Sequence, residues 1–174
     1  MNMMSTTIGR ALWFAQQAHQ GQSRKYTGED YIIHPIRVAR TVANYGGSHD
    51  LVCAALLHDV VEDTDFTDDD ITREFGAVIA ELVFDLTDAS RPEDGNRSRR
   101  KSIDRAHLAD GSTCAQFVKC ADIIDNTHDI RANDPKFAIT YLAEMVLLLE
   151  VLTKVAGTPI YEEAYRSVHG VAYC

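Results

Sequence analysis

Apolar residues recur three and four positions apart along nearly the whole chain, and that period predicts helices. Ile8, Leu12, Ala15 and Ala18 put one apolar face on a helix over 6–19, with Thr6 or Thr7 as its cap. The stretch 20–31 is polar and holds Gly21 and Gly28, so it reads as a loop. Pro35 suits the first turn of the next helix, which runs to about Tyr45 and stops at Gly46-Gly47. A central helix is predicted over 49–62. Thr67 followed by Asp68, Asp69 and Asp70 marks a helix start, with carboxylates set against the positive end of the helix dipole. Phe75-Gly76 breaks the pattern, and 77–86 resumes it. Pro92 and Gly95 make 89–96 the clearest loop. Helices are predicted over 97–108, 112–130 and 136–155, and a short last one follows Pro159. No internal repeat, low-complexity segment or convincing strand interrupts this. The expected fold is all-α, one compact helical domain over 1–174.

Composition narrows the class. A chain of 174 residues, 45% hydrophobic and 25% charged, suits one soluble domain with a real core. No apolar run is long enough to span a bilayer, and the opening MNMMSTTIGR lacks the basic and apolar regions of a signal peptide. Cys53, Cys114, Cys120 and Cys174 form no CxxC pair, which points to a reducing cytoplasm. Cys53 and Cys120 sit in apolar or helical contexts and read as small core residues. The net charge, 17 − 26 = −9, disfavours nucleic acid and anionic membranes as partners. Local basic patches survive at Arg24-Lys25 and among Arg91, Arg97, Arg99, Arg100, Lys101 and Arg105. Such patches could hold a small polyanion; the plain alternatives are a polar loop and a solvated helix face.

The candidate chemistry lies in the run AALLHDVVEDT. His58-Asp59 is followed one turn later by Glu62-Asp63, so 58 stacks with 62 and 59 with 63 on the predicted helix. Burying that much negative charge is costly unless a cation or proton offsets it. Two further residues suit the same purpose. His34 precedes Pro35 in YIIHPIRVA, and Asp122 lies in the apolar helical context FVKCADIIDN. Two histidines and two aspartates suit a divalent first-row ion such as manganese or iron; zinc is an alternative that more often brings cysteine or a third histidine. Taken singly, His34 reads better as a helix-start histidine bonded to backbone, and Asp122 as a buried partner of Lys119; all four residues together, in this order, shift the balance to a metal site.

The motifs AHQGQSRKYTGEDYIIHPIRVA, AALLHDVVEDTDFTDDDI, FGAVIAELVFDLTD and VKCADIIDN resemble those of the HD-superfamily phosphohydrolases. The branch resembled is the RelA/SpoT-type hydrolase, including its small stand-alone members. The resemblance implies an all-α HD domain that removes the 3′-pyrophosphate from guanosine tetra- or pentaphosphate with a manganese ion. It implies His34, His58, Asp59 and Asp122 as metal ligands, and Glu62 and Asp63 as catalytic carboxylates. Arg24, Lys25 and Asn126 match residues near the nucleotide, and Arg97, Arg100 and Lys101 are candidates for its phosphates. The chain departs from the family after Asp122, where Ile123-Ile124-Asp125 replaces a basic residue and an aromatic or histidine.

Other readings compete with this one. A hydrolase of the same chemistry could act on another phosphorylated nucleotide, such as an adenosine analogue or a phosphorylated dinucleotide cofactor. A non-catalytic nucleotide sensor would have no need for Glu62 and Asp63 beside a metal. A structural all-α module would leave the buried charge unexplained. Leu142, Met145, Leu149 and Leu152 form a stripe that serves either the core or a homo-oligomer interface, with the core the simpler reading.

Overall fold

Side-chain caps set where most of the helices begin in the computed structural model, which describes residues 6–170. The opening segment MNMMS and residues 171–174, Cys174 among them, lie outside the described residues. Within 6–170 the regular structure is helical, with one isolated antiparallel bridge between Ser23 and Asp30 and no strand. No helix among the described residues is long and apolar enough to cross a membrane. The chain divides at Thr87/Asp88 into two compact units.

The first unit carries α1 (Thr7–Ala18), α2 (Ile33–Asn44), α3 (His49–Leu57), α4 (Val60–Asp63), α5 (Asp68–Phe75) and α6 (Ala77–Leu86). The Thr6 hydroxyl accepts from the Gly9 amide at 3.1 Å, and Ser48 accepts from Leu51 at 3.4 Å, satisfying first-turn donors that have no helical partner. Thr67 and Asp70 form a reciprocal capping box at the start of α5. Gly46 has φ 82°, a conformation open mainly to glycine, and a Cβ on Gly47 would collide with Val42. Helix α3 packs against α1, α2 and α6, and Cys53 through Leu57 are all buried. A helix covered on all sides can be apolar all round, which is why this one shows no clean stripe.

The predicted helix over 49–62 is interrupted. It stops at Leu57, and a turn at His58-Asp59 separates it from the four-residue α4. The His58 imidazole supplies a physical reason. Its Nδ1 meets the Ala55 carbonyl at 2.9 Å, the acceptor that the Asp59 amide would take in an unbroken helix.

The second unit carries α7 (Arg97–Asp110), α8 (Thr113–Asn133), α9 (Pro135–Val151) and α10 (Pro159–His169). A short 3₁₀ turn, Pro92–Asp94, lies inside the predicted loop. Asn96, Ser112, Asp134 and Thr158 each cap the helix that follows. Helix α8 packs on α9 and α10, with Val118, Cys120, Ala121 and Ile123 in the core. The helix predicted over 136–155 ends early, at Val151. Beyond it the Lys154 amide donates to the Gln116 side chain at 3.0 Å, and Leu152 is fully buried without being helical. Leu149 and Leu152 therefore serve the core of this unit, while Leu142 and Met145 are half-buried.

Candidate active site

Three of the residues singled out in the sequence converge in the first unit. His34 is the second residue of α2 and is 1% exposed, held inward by its apolar neighbours. His58 and Asp59 occupy the turn between α3 and α4. The ligand atoms of His34, His58 and Asp59 lie within 4.8 Å of one another. His34 Nε2 is 3.6 Å from Asp59 Oδ2, and His58 Nε2 is 3.2 Å from Asp59 Oδ1. The two imidazole rings stand 5.2 Å apart, edge to face. A carbonyl can only accept, so the contact with Ala55 assigns the His58 proton to Nδ1 and turns the Nε2 lone pair toward Asp59. That tautomer is the one a metal-ligating histidine uses, its far nitrogen donating to the backbone. Two imidazole nitrogens and one carboxylate at this spacing fit a first-row divalent ion.

Glu62 and Asp63 stand on α4, one turn beyond. The Tyr31 hydroxyl joins this group, 2.7 Å from Asp59 Oδ2 and 3.0 Å from Asp63 Oδ2. Burial pushes the Tyr31 phenol far up from its ordinary value, and the Asp59 and Asp63 charges push it further, so it stays a donor. Loss of water, then the Asp59 charge, raises the Asp63 carboxyl; Tyr31, His19 and His58 act the other way. Tyr31 was not singled out in the sequence, although it stands in the same motif as His34. A tyrosine in an apolar run reads as core, and nothing in the spacing shows where its hydroxyl goes.

Of the basic pair of the 20–31 loop, Arg24 stands beside Tyr31 and Lys25 beside Tyr26. The Arg24 guanidinium lies 5.9 Å from the centre of the Tyr31 ring, and Lys25 Nζ lies 4.8 Å from that of Tyr26. The loop itself is tightened by the Arg24 amide donating to Glu29 at 2.8 Å and the Gly28 amide to Arg24 at 3.0 Å.

The remaining predicted residues belong to the second unit. Asp122 is buried on α8, where it accepts from Asn126 Nδ2 at 2.6 Å and pairs with Lys119 Nζ at 2.8 Å. The ion pair weighed as the plain alternative for Asp122 is therefore present. Arg97 forks onto both oxygens of Glu144, at 2.7 and 2.8 Å, and lies over Phe137. Lys101 meets Asp88 at 2.6 Å and Asp104 at 3.4 Å. With Ser90 and Arg100 these groups line a pocket of about 190 Å³. The basic stretch is thus not a bare cationic face: two of its three candidate residues already carry carboxylate partners. The sequence hid this because Glu144 lies 47 positions from Arg97.

Comparison with known proteins places these features in a wider set. Residues 11–135 match the HD domain family. Over 126 residues the chain is 40% identical to the guanosine-3′,5′-bis(diphosphate) 3′-pyrophosphohydrolase MESH1 of Homo sapiens, covering 71% of this chain and 69% of that protein. It is 50% identical over 80 residues to a guanosine-3′,5′-bis(diphosphate) 3′-pyrophosphohydrolase of Aquifex aeolicus, which covers 46% of this chain but only 11% of that protein. A solved structure described as a metazoan ortholog of SpoT that hydrolyzes ppGpp superposes with a TM-score of 0.83 at 27% identity. That match covers 95% of this chain and 96% of the other.

Proposed function

We propose, from the premise that this chain belongs to the HD-domain family, that it hydrolyses the 3′-pyrophosphate of guanosine tetra- or pentaphosphate. The products would be guanosine di- or triphosphate and pyrophosphate. The observation that carries the reading is the buried His34, His58 and Asp59 cluster with Asp63 and Glu62 one turn away. The names of the relatives supply the substrate. The matched stretch, 11–135, runs through both units, which supports treating 1–174 as one HD domain.

His34, His58 and Asp59 would hold a divalent cation, manganese by preference for this nitrogen and oxygen set. When bound, the ion supplies positive charge that offsets the carboxylates and makes water nucleophilic at neutral pH. Asp63 and Glu62 orient the attacking water and accept its proton, within reach of one turn. Tyr31 holds Asp59 and Asp63 through one hydroxyl. Arg24 and Lys25 receive the base and phosphates, guanidinium planes being suited both to stacking and to forked phosphate contacts. The parts of Asp122 and Asn126 rest on the motif VKCADIIDN alone. Of the three candidates Arg97, Arg100 and Lys101, Arg100 is the best for a phosphate, since it lines the pocket while Arg97 and Lys101 are ion-paired. The setting proposed is cytoplasmic, the partner a small nucleotide polyphosphate.

A substrate panel tests the choice of nucleotide. Guanosine tetraphosphate should exceed its adenosine analogue and a phosphorylated dinucleotide cofactor in kcat/KM by about tenfold or more, the ratio set by ~1.4 kcal/mol. Preference for either competitor would move the assignment to that compound. Tight binding without turnover of any would leave a sensor.

A further inference from the structure

We propose that His19, Gln22 and Tyr31 form a positioning chain that fixes Asp63 relative to Asp59. This rests on the functional reading above and assigns a role to His19 and Gln22, which that reading leaves unused, acting with Tyr31.

Asp63 ends a helix of only four residues. Within that helix its amide donates to Asp59 at 2.9 Å, and so short a segment cannot hold its own geometry. Its carbonyl is one of the helix-end acceptors that has no helical partner. The backbone is anchored nearby: Val60 is fully buried, Thr64 Oγ1 donates to the Val60 carbonyl at 2.6 Å, and Phe66 packs on Phe14. The polar groups of Asp63 itself are held from the loop between α1 and α2. Gln22 Nε2 donates to its carbonyl at 2.8 Å, and Tyr31 meets its carboxylate.

Acceptor-only groups then fix the chain's protons. Because the Asp63 carbonyl only accepts, the amide of Gln22 must face it with nitrogen, which turns Oε1 toward His19. His19 is 3% exposed, and its Nδ1 lies 2.8 Å from that oxygen, so Nδ1 carries the proton. The opposite amide orientation would set two oxygens in contact. The His19 ring lies 4.7 Å from that of Tyr31, and the Tyr31 amide donates to the Gln22 carbonyl at 3.0 Å. Backbone and side chains therefore tie Gln22 and Tyr31 into one unit. Through it a loop far from α4 in sequence sets the separation of two carboxylates. Tyr31 meets the carboxylates of both Asp59 and Asp63, whereas Gln22 bonds the backbone carbonyl of Asp63, so their variants must differ.

The experiment compares Tyr31→Phe and Gln22→Met with wild type in manganese affinity by calorimetry and in kcat and KM for guanosine tetraphosphate. The His19 tautomer is read from ¹⁵N NMR. Tyr31→Phe should weaken manganese binding and lower kcat by about tenfold or more, as loss of a ligand's outer partner does, with KM nearly unchanged. Gln22→Met should lower kcat while leaving manganese affinity within about twofold, a difference below ~0.5 kcal/mol. In wild type, His19 should be protonated at Nδ1, and Gln22→Met should abolish that preference. Both variants keep their volume, and unchanged melting temperatures would separate positioning from misfolding. If one variant does not fold, the other and the wild-type tautomer still decide. A wild-type proton on Nε2, or both variants keeping wild-type kcat and manganese affinity, would overturn the proposal. If wild type turns over no guanosine tetraphosphate, the functional reading fails instead, and manganese affinity with the tautomer still judges the chain.

Discussion

Asp59 sits between two imidazoles and under the Tyr31 hydroxyl, so a single side chain joins every proposed ligand of the first unit. Asp59→Ala should therefore lose stoichiometric metal and all turnover; metal content equal to wild type by elemental analysis would remove it from the ligand set. Glu62→Gln should keep the metal and lower kcat by about 10²–10⁴-fold, the usual range for a general acid or base. A wild-type kcat would end that role. Arg24→Ala should chiefly raise KM, about tenfold for the loss of ~1.4 kcal/mol, because Arg24 binds rather than reacts. A fall confined to kcat would contradict this. His58 and Asp59 were legible because carboxylates in an apolar run are costly, and His34 because apolar neighbours hold it inward. Tyr31 and Gln22 were not, since hydrogen bonds across 28 to 41 positions leave no trace in local spacing, and His19 is linked to Asp63 only by way of Gln22.

Helix boundaries follow capping chemistry where the caps are local. Thr6, Thr67 and the Gly46-Gly47 stop all act within one turn, and each was readable. The break at His58 and the early end at Val151 were not, because a side chain or a distant glutamine takes the backbone partner instead. Helix α5 offers a pH test. Thr67 holds the Asp70 carboxyl down at about 2, aided by Arg73. A depressed carboxyl stabilises the fold above its ordinary value, near 3.8, and that contribution is lost as pH falls toward 2. Asp70→Asn should thus be less stable than wild type at neutral pH in urea titrations, with the gap closing between about pH 4 and 2. A gap that stays constant to pH 2 would show that the charge of Asp70 does not hold α5. Removing the cap itself, Thr67→Ala, should cost about 1 kcal/mol at neutral pH.

For the molecule as a whole, the all-α class and the family were legible, because helical period and four motifs run through most of the chain. The division at Thr87/Asp88 was not: no glycine- or serine-rich linker marks it. The departure at Ile123 has a physical counterpart, as this side chain is 1% exposed and serves the core of its unit. A net charge of −9 makes a polyanionic substrate depend on local cations and on a bound metal. The most direct measurement is turnover of guanosine tetraphosphate by metal-stripped protein, before and after adding manganese, with products resolved. The stripped protein should show no reaction, and added manganese should then bring release of pyrophosphate and guanosine diphosphate. Equal turnover with and without the metal, or cleavage at the 5′ end, would contradict it.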